Sequence, residues 1–148
     1  MLNSIGIHVK VKNFKKSYKF YSALGFVPIF EYGPKKAVKE DYSGAVFELK
    51  GTKIEIANGH RAVRGEVFLE QIMSSKISLM VNVDSLYDVI ELCQVNNIRL
   101  YAGPRHYYWG TLEVAIKDPD GMVIVLICPF SEAEALKIEA DETYSRRI

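Results

Sequence analysis

Apolar and polar positions alternate near the start of the chain. Ile5, Ile7, Val9 and Val11 fall on one side, and Gly6, His8, Lys10 and Lys12 on the other. A period of two is that of a strand with one face buried. The period changes after Asn13, a residue type that caps helices. Tyr18, Phe20, Tyr21 and Leu24 give the next segment an apolar helical face, and Gly25 ends it. "FVPIFEYG" reads as a strand, with Pro28 placing it at a sheet edge. "GAVFELKGTKIEIA" predicts a hairpin that turns near Gly51.

The same succession returns later in the chain. Ile7, Val9 and Val11 match Ile77, Leu79 and Val81 at an offset of seventy, and "KIEI" at 53–56 matches "VIVL" at 123–126 at the same offset. Fixed-period similarity marks repeated supersecondary units. A strand is expected near 76–82. Asp84 or Ser85 then caps a helix with Leu86, Val89, Ile90 and Cys93 inside. "IRLYAG" predicts the next strand, and "WGTLEVAIKDPDGMVIVL" (109–126) a strand, an Asp-Pro-Asp-Gly turn and a returning strand. The fold class is therefore α+β, with two βαβββ modules at about 4–58 and 76–129 in a single domain spanning 1–148. Residues 33–44 read as a polar loop. Residues 58–75 join the modules, with one helical turn near Phe68. "SEAEALKIEAD" forms a C-terminal helix at about 131–141, capped by Ser131. In each module the helix covers one sheet face. The other face must meet its repeat or close around a ligand.

Composition narrows the function classes. A chain of 148 residues, 49% hydrophobic and 25% charged, suits a soluble globular domain with a real core. A net charge of +1 implies no general affinity for nucleic acid or for a membrane surface, and neither is expected as a partner. Lys15, Lys16 and Lys19 read as a solvated helix face. The N-terminus lacks a charged segment followed by an apolar run of secretory length, and no apolar stretch approaches a membrane span. Cys93 and Cys128 read as buried, reduced thiols of a cytoplasmic protein. No Gly-rich phosphate loop appears, nor a local Ser-His-Asp or Cys-His signature. Asp118 and Asp120 belong to a turn. No catalytic residue is assigned.

Two stretches carry a family resemblance. "VKNFKKSYKFYSALGF" and "WGTLEVAIKDPDGMVIVL" resemble the first strand, helix and corner, and the last hairpin, of the vicinal-oxygen-chelate superfamily. That superfamily includes glyoxalase I, fosfomycin resistance enzymes, extradiol dioxygenases and bleomycin-resistance proteins. The resemblance spans about residues 4–129 and implies the glyoxalase/bleomycin-resistance fold, in which two βαβββ modules set their sheets side by side as a cup. In the metal-dependent members the first and fourth strands of each module supply one ligand apiece. The bound cation polarises substrate oxygens.

Carried onto this sequence, with the offset of seventy linking the modules, those positions fall on Gly6, Glu55, Lys76 and Val125. Only Glu55 is an ordinary ligand for a divalent metal; glycine has no side chain, valine is apolar, and a lysine ammonium has no lone pair. A catalytic site commonly has three protein ligands. The resemblance thus implies a member with no metal and no cofactor. The alternative is a non-standard site of His8, Glu55 and His106, if the loop holding His106 folds inward. Lys76 either replaces the metal's charge by pairing with Glu55 or reaches solvent at the start of its strand.

The cup-facing set is His8, Lys10, Glu55, Lys76, Ser78, Met80, Glu113 and Val125, with Trp109 at an aromatic rim beside Tyr107 and Tyr108. Met80 offers a soft wall. Lys10 either holds an anionic group or is an exposed strand lysine. Trp109 either stacks on a ligand or plugs the sheet edge. His8 and Glu113 are able to act as general base and acid. His60 reads as a loop residue without chemistry. The expectation is a cytoplasmic, metal-independent small-molecule-binding protein similar to the bleomycin-resistance type, sequestering or sensing its ligand as a homodimer. The alternative is a metal-dependent lyase or dioxygenase of the glyoxalase type.

Overall fold

The computed structural model describes residues 1–34 and 42–142. The N-terminal alternation forms β1 (Gly6–Lys10). Asn13 caps α1 (Phe14–Ala23), its side-chain oxygen accepting the Lys16 backbone N–H at 3.0 Å. Gly25, at φ 95°, closes the helix, and the Phe26 N–H returns to the Tyr21 carbonyl. β2 (Val27–Tyr32), β3 (Gly44–Leu49) and β4 (Thr52–Ala57) follow. They form one sheet in the order β1-β4-β3-β2, in which β1 runs parallel to β4. The second module repeats the plan with β5 (Ser78–Asn82), α2 (Leu86–Val95), β6 (Ala102–Tyr107), β7 (Thr111–Lys117) and β8 (Val123–Pro129), in the order β5-β8-β7-β6. The α+β assignment and the two βαβββ modules hold. The chain divides into two compact units, Met1–Ile72 and Met73–Ile148.

Each unit has its own core. In the first, α1 packs on β3 and β4. It buries Phe20 and Tyr21 against a layer that includes Val9, Val11, Phe47, Ile54 and Ile56, and Tyr21 meets Phe26 edge-on at 5.8 Å. In the second, α2 brings Leu86 and Cys93 to β7 and β8, whose inward residues are Leu112, Val114, Ile116, Ile124, Leu126 and Cys128. Each large apolar side chain buried this way contributes roughly 1.5–3 kcal/mol. Both cysteines are free and buried, and burial pushes both thiols up, which keeps them protonated and unreactive. Asp118 and Asp120 are structural as expected: the Asp118 carboxylate accepts the backbone N–H groups of Asp120 and Met122 at 2.9 and 2.8 Å. No helix among the described residues is long and apolar enough to cross a membrane.

Several boundaries differ from those the sequence predicts. The strand expected at "IRLYAG" lies further on, as β6, and contains Pro104. β6 is the last strand of its sheet, and an edge strand tolerates a missing N–H. The C-terminal helix α3 spans only Glu132–Lys137. It ends because Glu139 adopts φ 52°, after which Asp141 bridges to Arg105 on the outer side of β6. A 3-10 turn at Gly65–Leu69 supplies the helical turn expected near Phe68. Of the expected polar loop at 33–44, residues 35–41 lie outside the described residues.

α3 is tied to α2 by one carboxylate. Glu134 accepts the Tyr87 backbone N–H at 2.7 Å and the hydroxyl of Ser85, the N-cap of α2, at 2.9 Å. It therefore satisfies an orphan donor of another helix. The Tyr87 N–H is the largest of the causes that hold its pKa below the ordinary 4.5. A carboxylate lowered by folding adds stability above its unfolded pKa and loses that contribution as pH falls through the folded one. Glu134→Gln should cost about 1 kcal/mol of unfolding free energy in urea at neutral pH, the scale of a helix cap. The difference from wild type should shrink as the pH is taken below 4.5.

Candidate functional site

One face of the first sheet is covered by α1. The other carries the polar residues of the alternation. Parallel pairing sets His8 opposite Glu55 and Lys10 opposite Ala57; antiparallel pairing extends these rows to Val46 and Gly44, and then to Phe30 and Tyr32. Paired residues point to the same side of a sheet. His8, Lys10, Glu55, Phe30 and Tyr32 thus share one face. The Tyr32 hydroxyl donates to Glu55 Oε1 at 2.8 Å. It reaches there by laying its ring across Gly44, where any Cβ would collide with the ring. A glycine in a strand marks such a close approach.

This contact sets the electrostatics. Burial, together with the hydrogen bond to Glu55 and its charge, pushes the Tyr32 phenol up to about 12. His8 is lowered from 6.5. Burial is the largest cause; the Glu55 carboxylate opposes it, while Lys10 and His60 add to it. These causes together favour the neutral imidazole of His8. Its ring meets His60 edge-on, with centroids 6.3 Å apart. The sequence reading gave Tyr32 no role and took His60 as a loop residue, and His60 does lie in the loop after β4. The one available signal was Gly44 at the start of a strand, and it gains meaning only once the register sets Tyr32 beside it.

The second sheet presents a different face. Met80, Val125 and Ala115 form an apolar row, with Met80 70% exposed. Ser78 lies opposite Val123. One row on, Asn82, Ile127, Glu113 and Arg105 lie side by side. Glu113 Oε2 accepts from the Trp109 indole N–H at 3.1 Å and from the Thr111 hydroxyl at 2.5 Å. The indole stacks on Tyr107 at 4.4 Å, and Tyr108 meets it edge-on. Trp109 is thus exposed yet held, with Tyr107 on one face of its ring.

The register also revises the equivalence between modules. Ala57 and Ile127 accept the backbone N–H groups of Val11 and Val83 in turn, so β4 and β8 keep the offset of seventy. α1 starts at Phe14 and α2 at Leu86, and β1 starts at Gly6 and β5 at Ser78, an offset of seventy-two. Two residues leave every side chain on its expected face, which is why the alternation concealed the slip. The partner of Gly6 in the second module is then Ser78. Lys76 precedes β5, is exposed, and donates its backbone N–H to Ser74 Oγ.

The metal-ligand positions implied by the family therefore hold Gly6, Glu55, Ser78 and Val125, a donor set that does not fit a divalent cation. His106 does not complete it. Rather than lying in a loop, it belongs to β6, opposite the buried Leu112. There it stacks on Phe130 at 3.8 Å and pairs with Glu142 at 3.1 Å. Among the described residues no three His, Cys, Asp or Glu side chains are grouped so as to hold a metal.

The Tyr32–Glu55 contact is open to direct measurement. The wild-type Tyr32 phenol should ionise near 12, followed by ultraviolet absorbance or ring NMR. Glu55→Gln should bring it part of the way toward 10, because burial, the larger cause, remains. Gly44→Ala should displace the ring and bring Tyr32 close to the ordinary value.

Comparison with known proteins agrees with this fold. Residues 3–126 match the Glyoxalase/Bleomycin resistance protein/Dioxygenase superfamily. No curated protein matches the sequence. Among solved structures, a genomically encoded fosfomycin resistance protein, FosX, from Listeria monocytogenes, complexed with Mn(II) and sulfate, superimposes with a TM-score of 0.66 at 15% identity, over 92% of this chain and 99% of that one. SMU.1112c gives 0.66 at 21% identity, over 86% and 99%. A glyoxylase/bleomycin resistance protein/dioxygenase domain from Frankia sp. EAN1pec gives 0.62 at 12% identity, over 88% and 98%. At these identities the likeness is one of fold. With the sequence match covering most of the chain and two βαβββ modules in place, this protein belongs to the Glyoxalase/Bleomycin resistance protein/Dioxygenase superfamily.

Proposed function

We propose that this protein is a metal-independent small-molecule-binding member of the superfamily, of the bleomycin-resistance type, which sequesters or senses its ligand in the cytoplasm as a homodimer. The observation that supports this reading most is the replacement of metal-ligand side chains. Gly6, Ser78 and Val125 stand where donors would be needed, and the remaining carboxylate, Glu55, takes a hydrogen bond from Tyr32. The ligand site is the open face of the first sheet, where Phe30 and Tyr32 give aromatic area beside His8, Lys10 and Glu55. A few polar groups on an apolar wall orient a small ligand. The apolar row of Met80 and Val125, with Glu113 and Trp109 nearby, is a second surface suited to an amphiphilic molecule.

A second reading rests on the direct opposition of His8 and Glu55 on adjacent strands, which sets two metal-binding residue types side by side. It is the metal-dependent lyase or dioxygenase of the glyoxalase type, and the FosX protein complexed with Mn(II) shares its fold. Calorimetric titration with Zn²⁺, Ni²⁺, Mn²⁺ and Fe²⁺ separates the two. The expected result is no stoichiometric binding at micromolar concentration. Tight one-to-one binding that disappears in Glu55→Ala would overturn metal independence. In parallel, a library of small aromatic and anionic compounds should shift amide resonances of β1, β4 and Tyr32. A library that leaves this face unperturbed counts against it as the ligand site.

A further inference from the structure

We propose that Lys10, His60 and His8 form a subsite for an anionic oxygen group, carboxylate or phosphoryl, of the ligand, an inference that rests on the reading of this sheet face as the binding site. The loop after β4 is built to present His60. Asn58 and Ser43 exchange bonds, the Asn58 N–H to the Ser43 carbonyl at 3.1 Å and the Ser43 N–H to Asn58 Oδ1 at 2.9 Å. The Tyr42 ring lies where a Cβ at Gly59 would stand, so the loop packs closely at that point. His60 Nδ1 accepts the Ala62 N–H at 3.0 Å, and the His60 carbonyl accepts the Val63 N–H at 3.1 Å. Local hydrogen bonds of this kind fix a short loop without a core of its own.

The Ala62 bond decides what His60 offers. With Nδ1 accepting, the neutral ring carries its proton on Nε2 and presents an N–H donor. A ring so held has no lone pair left for a metal, which separates this cluster from a cation site. β1 and β4 run parallel toward the loop, so Lys10, opposite Ala57, lies one row beyond the His8–Glu55 row on the side where the chain continues to His60. The Glu55 carboxylate is engaged by Tyr32 from the β2 side of the sheet. Lys10 and His60 thus both lie toward the end of this face beyond Glu55, while Glu48, opposite Lys53, lies on the far side of Glu55, and His8 is edge-on to His60 at 6.3 Å. Lys10 and His60 both reduce the proton affinity of His8, as expected if the three share one electrostatic neighbourhood. Donors to an anionic oxygen form charge-assisted bonds.

The test is NMR on the full chain, with long-range proton–nitrogen correlations of the imidazoles at pH 7.5 and constant ionic strength. Probes are inorganic phosphate, phenyl phosphate, benzoate and, as an uncharged control, benzyl alcohol. His60 should show the Nε2–H tautomer. Phosphate, phenyl phosphate and benzoate should shift the His60 and His8 rings saturably. Binding should weaken about tenfold in Lys10→Gln and in His60→Ala, the loss of one charge-assisted bond. An unchanged Tyr32 ionisation shows that either variant is folded. The opposite tautomer, no saturable shift at His60, or equal affinity in Lys10→Gln would each overturn the subsite. If benzyl alcohol perturbs these rings and the anions do not, the subsite falls and the binding face stands. If no probe perturbs the face, both fall.

Discussion

The parallel pairing of β1 with β4 is the constraint on which the first module depends. It joins segments far apart in the chain, and the crossover between them is long enough to hold α1 and two further strands. Val9 beside Ile56 gives α1 a continuous apolar layer to cover. The same ladder places His8 beside Glu55 on the opposite face. One register therefore fixes both the core and the site, and a slip of a single residue would exchange the two faces.

The second module keeps this frame and changes its chemistry. β5 pairs with β8 as β1 does with β4. Met80 takes the place of His8 and Val125 that of Glu55, so the row that is polar in the first sheet is apolar in the second. Its acid, Glu113, stands one row away in the place of Gly44, and is held by Trp109 and Thr111. In each module an open-face carboxylate is oriented by an aromatic donor, Glu55 by the phenol of Tyr32 and Glu113 by the indole of Trp109. A carboxylate drawn partly out of water needs such partners. That requirement accounts for the two aromatic residues independently of any ligand.

Among the described residues, the C-terminal segment is tied to the second sheet. Asp141 exchanges backbone bonds with Pro104 and His106 along the outer side of β6, and His106 is fixed between Phe130 and Glu142. An edge strand exposes unpaired backbone groups, and a covering segment removes part of that exposure. His106 is therefore explained by the edge it helps to cover. Glu134 anchors the same segment at the start of α2.

The sequence by itself determined the elements, their order and the faces they bury, because alternation, helix caps and turn residues are local signals. Asn13, Gly25, Ser85 and the Asp118 turn each act within a few residues of chain. That Gly6 and Val125 carry no metal-binding side chain was also visible, because it is a matter of residue type alone. Only the tertiary structure decided what lies beside what. The two-residue slip between the modules preserves alternation, so no pattern of hydrophobicity could show that Ser78, rather than Lys76, answers to Gly6. β6 was misplaced because its pairing with β7 and its position at the sheet edge outweigh local signals. Tyr32 on Glu55 and His60 beside His8 depend on neighbouring strands and on a loop fixed by its own hydrogen bonds. Such contacts are set by register and by hydrogen bonds between distant residues, which composition and periodicity do not encode.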